Sequence, residues 1–211
     1  MYIPAHFAAS PGATQDLLAA PAAANLITMT SHGILATLLP LVYVPSAGEH
    51  GALHGHLARN NPQCSEPPIG AALVILQGAD AYVSPSWYAS KAEHGRVVPT
   101  WNYSTAHVYG TLVVHDDPAW LRRHVRQLTE LHEARSSQPW SVDDAPERFI
   151  EGQLRAIVGV ELLITRTEAK TKLSQNRAAK DIDGVVAGLR AAGQAACAAD
   201  VDRAGRPVGD R

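Results

Sequence analysis

The chain has 211 residues, with 18 Lys and Arg against 20 Asp and Glu, 10 His and 2 Cys, for a formal charge of −2 at pH 7. That length suits one domain or one domain with an appendage, and a hydrophobic share of 46% is that of a folded protein. Near-neutral charge argues against a bulk electrostatic grip on nucleic acid, and Cys64 and Cys197 alone cannot build a disulfide framework, which points to a reducing cytoplasm. No apolar run approaches the ~20 residues that span a bilayer, so no membrane partner is expected. Met1-Tyr-Ile-Pro-Ala-His-Phe7 lacks a basic stretch followed by an apolar one, so it does not read as a secretory signal.

In chain order, Thr14–Ala24 reads as a helix started by Thr14 and interrupted or ended by Pro21. Asn25–Thr30 and Ile34–Leu39 read as strands around a Ser31-His32-Gly33 turn, the second with apolar residues on both faces, as in a barrel or between layers. Short strands are expected at Val42–Val44 and Ala52–His56, and one helical turn over Leu57–Asn61, stopped by Pro62. Ala71–Leu76 and Ala79–Ser84 read as two strands separated by Gln77-Gly78, followed by a long connection to Pro99. Thr100–His115 is the longest strand candidate, with Trp101, Tyr103, Thr105, His107 and Tyr109 on one face until a bend or bulge switches it. Asp117–Ala134 is the clearest helix, capped by Asp116 or Asp117. Pro146–Ala156 reads as a second helix, Ile157–Thr167 as a strand, Lys170–Arg177 as a polar loop and Asp181–Ala192 as a helix. The Ala-, Gly-, Asp- and Arg-rich residues 193–211 read as a disordered tail behind a single domain over residues 1–192. Many strands with helices between and after them give an α+β protein built around a small barrel.

The chemistry sits in specific strings. Gly51-Ala-Leu-His-Gly-His-Leu-Ala-Arg-Asn-Asn-Pro62 places His, Arg and Asn where a strand becomes a helical turn, and backbone amides with an Arg fork suit a phosphate. A capped turn with an exposed Arg fits the same string. His54-x-His56 puts two imidazoles on one strand face, but no Cys or carboxylate stands beside them at ligand spacing, so no metal site is assigned. Arg122, Arg123, His124 and Arg126 on the long helix form either a phosphate-touching patch or a solvated face. The chain has no Gly-x-Ser-x-Gly elbow, Walker loop or Gly-x-Gly-x-x-Gly, so hydrolase, P-loop and Rossmann readings lack support.

Five strings resemble one family in order along the chain: Met1–Phe7, Gly55-His-Leu-Ala-Arg-Asn-Asn-Pro62, Ala81-Tyr-Val-Ser-Pro-Ser-Trp-Tyr88, Val98-Pro-Thr-Trp-Asn-Tyr103 and Lys170-Thr-Lys-Leu-Ser-Gln-Asn-Arg177. Together they resemble the PaiB-type FMN-binding negative transcriptional regulators, over nearly everything but the tail. The resemblance implies an FMN-binding split β-barrel, pyridoxamine-phosphate oxidase-like, with flanking helices. It implies a cytoplasmic homodimer with flavin at the subunit interface, and DNA as a partner, although no helix-turn-helix is apparent. The strand Ala36–Pro40 would lie along the flavin ring. His54–Asn60 would be the phosphate segment, with Arg59 as its cation and Lys172 contributed from the partner subunit. Thr37, His56, Arg59 and Asn60 are the cofactor candidates there. Tyr82, Ser84, Thr100, Trp101, Asn102, Lys172, Ser174 and Gln175 are the further candidates, as hydroxyl donors, a stacking indole, an amide for the pyrimidine edge and a polar run that closes over an anion. No catalytic residue is assigned, and the family label favours a regulatory flavoprotein over a catalyst. A flavin oxidoreductase, or a haem-binding barrel, are the alternatives the fold leaves open.

Overall fold

The computed structural model describes residues 1–20 and 22–205. The chain divides into two compact units, each assembled from separated stretches. The first comprises Met1–Leu17, Gln77–Ala106 and Ala169–Arg211, and the second Leu18–Leu76 and His107–Glu168. The strands are β1 (Ala23–Thr30), β2 (Gly33–Pro40), β3 (Val42–Val44), β4 (Ala52–Ala58), β5 (Ala72–Val83), β6 (Thr100–His115) and β7 (Ile157–Lys172). They form one sheet in the order β2-β1-β5-β6-β7-β4-β3, which leaves β2 and β3 at its edges. The helices are α1 (Pro11–Ala19), α2 (Pro62–Ser65), α3 (Ser90–His94), α4 (Pro118–Glu133), α5 (Glu147–Arg155), α6 (Ala179–Ala191) and α7 (Ala195–Gly205).

The hairpin β1–β2 pairs Thr30 with Gly33 across a two-residue Ser31-His32 turn. In β6 the even positions from Asn102 to Gly110 are buried and the odd ones are not, after which the alternation breaks. The break follows Gly110, where a Cβ would lie 2.2 Å from the Leu163 carbonyl oxygen. In the second unit, Asp117 caps α4 by accepting from the Ala119 and Trp120 amides, at 3.0 and 3.2 Å. Leu121 of α4 then packs with Val142 and with Ile150 and Leu154 of α5.

Several expectations are corrected. α1 starts at Pro11, not Thr14, because the Ser10 hydroxyl accepts from the Ala13 amide; the role given to Pro21 lies outside the described residues. Leu57 and Ala58 belong to β4, where they pair with Val158 and Ile157, and Pro62 begins a helix instead of stopping one. β5 runs unbroken through Gln77-Gly78. The strand β7 continues through Lys170, Thr171 and Lys172, which the sequence suggested as loop.

The tail is also corrected. Residues 195–205 form α7, with Cys197, Ala198 and Val201 buried in the core of the first unit beside Val185 and Leu189 of α6. Alanine is a poor hydrophobe but the best helix former, and one apolar stripe sufficed to dock the helix. The rest of that expectation, residues 206–211, lies outside the described residues. Within the same unit α6 rests directly on the turn Pro85–Trp87. A Cβ on Gly184 would sit 2.0 Å from the Trp87 carbonyl oxygen, and one on Gly188 2.2 Å from its indole, so only glycine permits this approach.

Candidate functional site

The second unit holds Thr37, His56, Arg59 and Asn60. Arg59 follows β4, and its guanidinium is fixed on several sides. Nε donates to the Arg155 carbonyl at 2.7 Å and Nη2 to the Ile157 carbonyl at 3.0 Å. The fork closes on Asp116, Nη1 to Oδ2 at 3.0 Å and Nη2 to Oδ1 at 2.6 Å. That hydrogen bond is the main cause holding the Asp116 carboxyl below its usual range and raising Arg59. Asn60 is an exposed turn residue. Its neighbour Asn61 does the connecting work, donating to Thr37 Oγ1 at 3.1 Å and accepting from the Gln63 amide at 2.9 Å. The amides of Arg59 and Asn61 donate to the Ala156 and Ala58 carbonyls, so neither is free for an anion.

His56 belongs to a polar-aromatic cluster at the foot of α4. Its Nδ1 lies 3.1 Å from His124 Nε2. Glu161 accepts on both oxygens, from His54 Nε2 at 2.9 Å and His115 Nε2 at 2.8 Å. Trp120 stacks on His115 at 4.3 Å and on His124 at 5.4 Å. The indole fits because position 159 is glycine, where a Cβ would fall 2.2 Å from Trp120 Cζ3. Burial pushes His124 down to about 3, with His56 and His54 adding to it, and burial lowers His56 too. Burial pushes Glu161 up, but the hydrogen bonds from His115 and His54 outweigh it and the net shift is downward. His54 and His56 are therefore engaged with Glu161 and His124.

The first unit holds the other eight candidates. Lys172 Nζ donates to the Thr100 hydroxyl and, at 2.9 Å, to the Trp101 carbonyl, which joins the end of β7 to the start of β6. Burial lowers the Lys172 pKa, opposed by Tyr103 and reinforced by Lys170 and Arg177. The Trp101 indole is half exposed, donates to Asp80 Oδ1 at 2.8 Å and meets the Tyr82 ring edge-on at 6.2 Å. Asn102 points to the opposite, buried face of β6, where its amide exchanges hydrogen bonds with the Ser174 hydroxyl at 2.9 and 3.2 Å. Those bonds anchor Ser174 in the left-handed region, at φ 64°. Gln175 accepts from the Leu173 amide at 2.7 Å, and Ser84 caps the turn at Pro85 by accepting from Ser86 N. Trp101, Thr100, Lys172 and Tyr82 thus form one group, whereas Asn102, Ser174, Gln175 and Ser84 serve the backbone and core.

The donor chemistry fits a flavin mononucleotide. In the second unit Arg59 has the rigid fork a phosphate needs. Sequence reasoning missed Asp116 as the partner of Arg59, Asn61 as the link to Thr37, and the Trp120–His124–Glu161 group. The Asp116-Asp117 pair was visible as a helix start, but only the fold shows that the two carboxylates have different tasks.

Over residues 1–166 the chain matches the family described as "Putative FMN-binding domain". It is 31% identical over 174 residues to the Bacillus subtilis "Protease synthase and sporulation protein PAI 2", covering 79% of this chain and 77% of that one. It is also 32% identical over 183 residues to an uncharacterized protein of Emericella nidulans, covering 73% of each. Among solved structures, a conserved hypothetical protein of Mycobacterium tuberculosis shares the fold with a TM-score of 0.56 at 13% identity, over 84% of this chain and 94% of that one. The FAD and haem binding protein of Mycobacterium smegmatis does so with a TM-score of 0.54 at 16% identity, over 77% and 71%. With the seven-stranded antiparallel sheet, the family match and the PAI 2 similarity, this chain belongs to the PaiB-type family of FMN-binding split-barrel proteins.

Proposed function

We propose that this FMN-binding protein is a cytoplasmic, homodimeric regulator whose flavin phosphate is held by Arg59. The observation that carries the regulatory part is the similarity to PAI 2 over most of both chains. What supports a second copy is the edge strand β2. Ile34 and Leu38 are 66% and 65% exposed, and Ala36 and Pro40 lie exposed on the same face. Such a row on an unpaired edge is an association surface unless it is covered. Thr37 lies on that strand, which supports flavin binding at the subunit interface.

Contact with DNA through α4 is not part of the proposal. Arg122 pairs with Glu147 and Arg126 with Asp143, so two of the three arginines of that face are already neutralised. The test is the visible spectrum of the purified protein, with and without added FMN, after gel filtration. Flavin bands that comigrate with a dimer are expected, with no bleaching by NADH or NADPH. Bleaching would replace the regulator by an oxidoreductase, and a Soret band after haem titration would replace the flavin site by a haem site. Mobility shifts on promoter DNA, repeated at rising salt, test the regulatory role directly.

A further inference from the structure

Asp116 and Asp117 are consecutive acids between β6 and α4, yet they do different work. Asp117 caps the helix with both carboxylate oxygens. Asp116 contributes nothing to that cap, and its side chain, 66% exposed, turns to the Arg59 fork. The fork itself is preset. Carbonyls at the end of α5 and the start of β7 hold Nε and Nη2, so the guanidinium keeps its orientation whatever anion faces it. A carboxylate bound in this bidentate way presents two oxygens as a phosphate does, to the same two nitrogens. Arg59 and Asp116 also line a cleft of about 680 Å³ with Arg122, Arg155 and Glu151 and the apolar Leu121, where the three arginines outnumber the two carboxylates and there is room for a phosphate with a body attached.

We propose that Asp116 is an internal competitor for the phosphate of FMN: carboxylate and phosphate contend for one Arg59 fork, and Asp116 thereby sets how strongly the protein distinguishes FMN from riboflavin. The proposal rests on the assignment of Arg59 as the phosphate cation. An exposed ion pair is weak enough to be exchanged reversibly, which a competitor requires and a buried pair would prevent. Asp116 also stays ionised well into the acid range, since the Arg59 hydrogen bond lowers its pKa.

Titrations of FMN and riboflavin, read by flavin fluorescence, decide it on the full-length chain. Asp116→Asn is expected to tighten FMN by about two- to fivefold and to leave riboflavin unchanged. Asp116→Ser should do the same and guards against a peculiarity of the amide. An unchanged or reduced preference for FMN over riboflavin in both variants overturns the proposal. Arg59→Ala separates the two levels. If it abolishes the FMN preference while the Asp116 variants gain none, only the competitor role fails. If it keeps the preference, the phosphate assignment itself is wrong and the competitor role falls with it.

Discussion

The most consequential single side chain for pH is His124. Unfolded, it takes up a proton near 6.5; folded, it resists until about 3. Between those values the unfolded chain holds more protons, so stability rises with pH across that window. The lowered pKa of His56 acts in the same sense. Glu161, also lowered, contributes stability that is present above the ordinary carboxylate range and is lost as pH falls. Urea melts between pH 7 and pH 4 should therefore show falling stability, at about 1.4 kcal/mol per pH unit for each proton involved. His124→Leu should flatten that slope by roughly one proton. The neighbouring slot gives a second test. Gly159→Ala drives a Cβ into Trp120 and should cost about 1–3 kcal/mol, most of it recovered when Trp120→Leu is added.

At the scale of elements, some boundaries were plain in the sequence because local and tertiary signals agreed. β6 was legible as a long strand, by its alternation as far as Gly110, and α4 from Asp117, Pro118 and the apolar spacing. Where the two conflicted, tertiary pairing won. Leu57 and Ala58 look like a helical turn before Pro62, but β7 offers them a ladder. The Gln77-Gly78 pair looks like a turn, yet a glycine is what this point of β5 needs, since a Cβ would crowd Ser104 and Leu17 at 3.2 and 3.3 Å. α7 was hidden because its composition is that of a tail, and only α6 makes its Cys197, Ala198 and Val201 a buried stripe. Ending the chain after Gly193 should thus uncover Val185 and Leu189, lower the melting temperature by several degrees and raise binding of a hydrophobic dye. Asp117→Ala tests the α4 cap, with an expected loss of about 1 kcal/mol in the same melts.

For the whole molecule, the apolar row of β2 predicts assembly. If the proposed dimer forms through this row, Leu38→Asp should yield a folded monomer in sedimentation, since the side chain is exposed. A dimer that survives the change would place the contact elsewhere. The five strings gave candidate residues in the sequence, but not what those side chains touch. Asn102 and Ser174 were read as ligand groups, and they bind each other in the core; Arg59 was read as the cation of a phosphate segment, and its fork is held by Asp116. Such pairings join residues 57 to 72 positions apart, which no local pattern reports.

The division into two interleaved units also has a consequence for synthesis. Everything the second unit needs is present once residue 168 has emerged, but the first unit waits for residues 169–205. On the ribosome its two earlier stretches, both present once Ala106 is made, must be carried uncompleted for nearly half of the translation time, at about 5–20 residues per second. Val83 and Tyr88, buried in the finished unit with residues of α6 and α7, lack those partners during that interval. Nascent-chain pulldowns should therefore show chaperone occupancy that rises after residue 88 is translated and falls only when α7 is released.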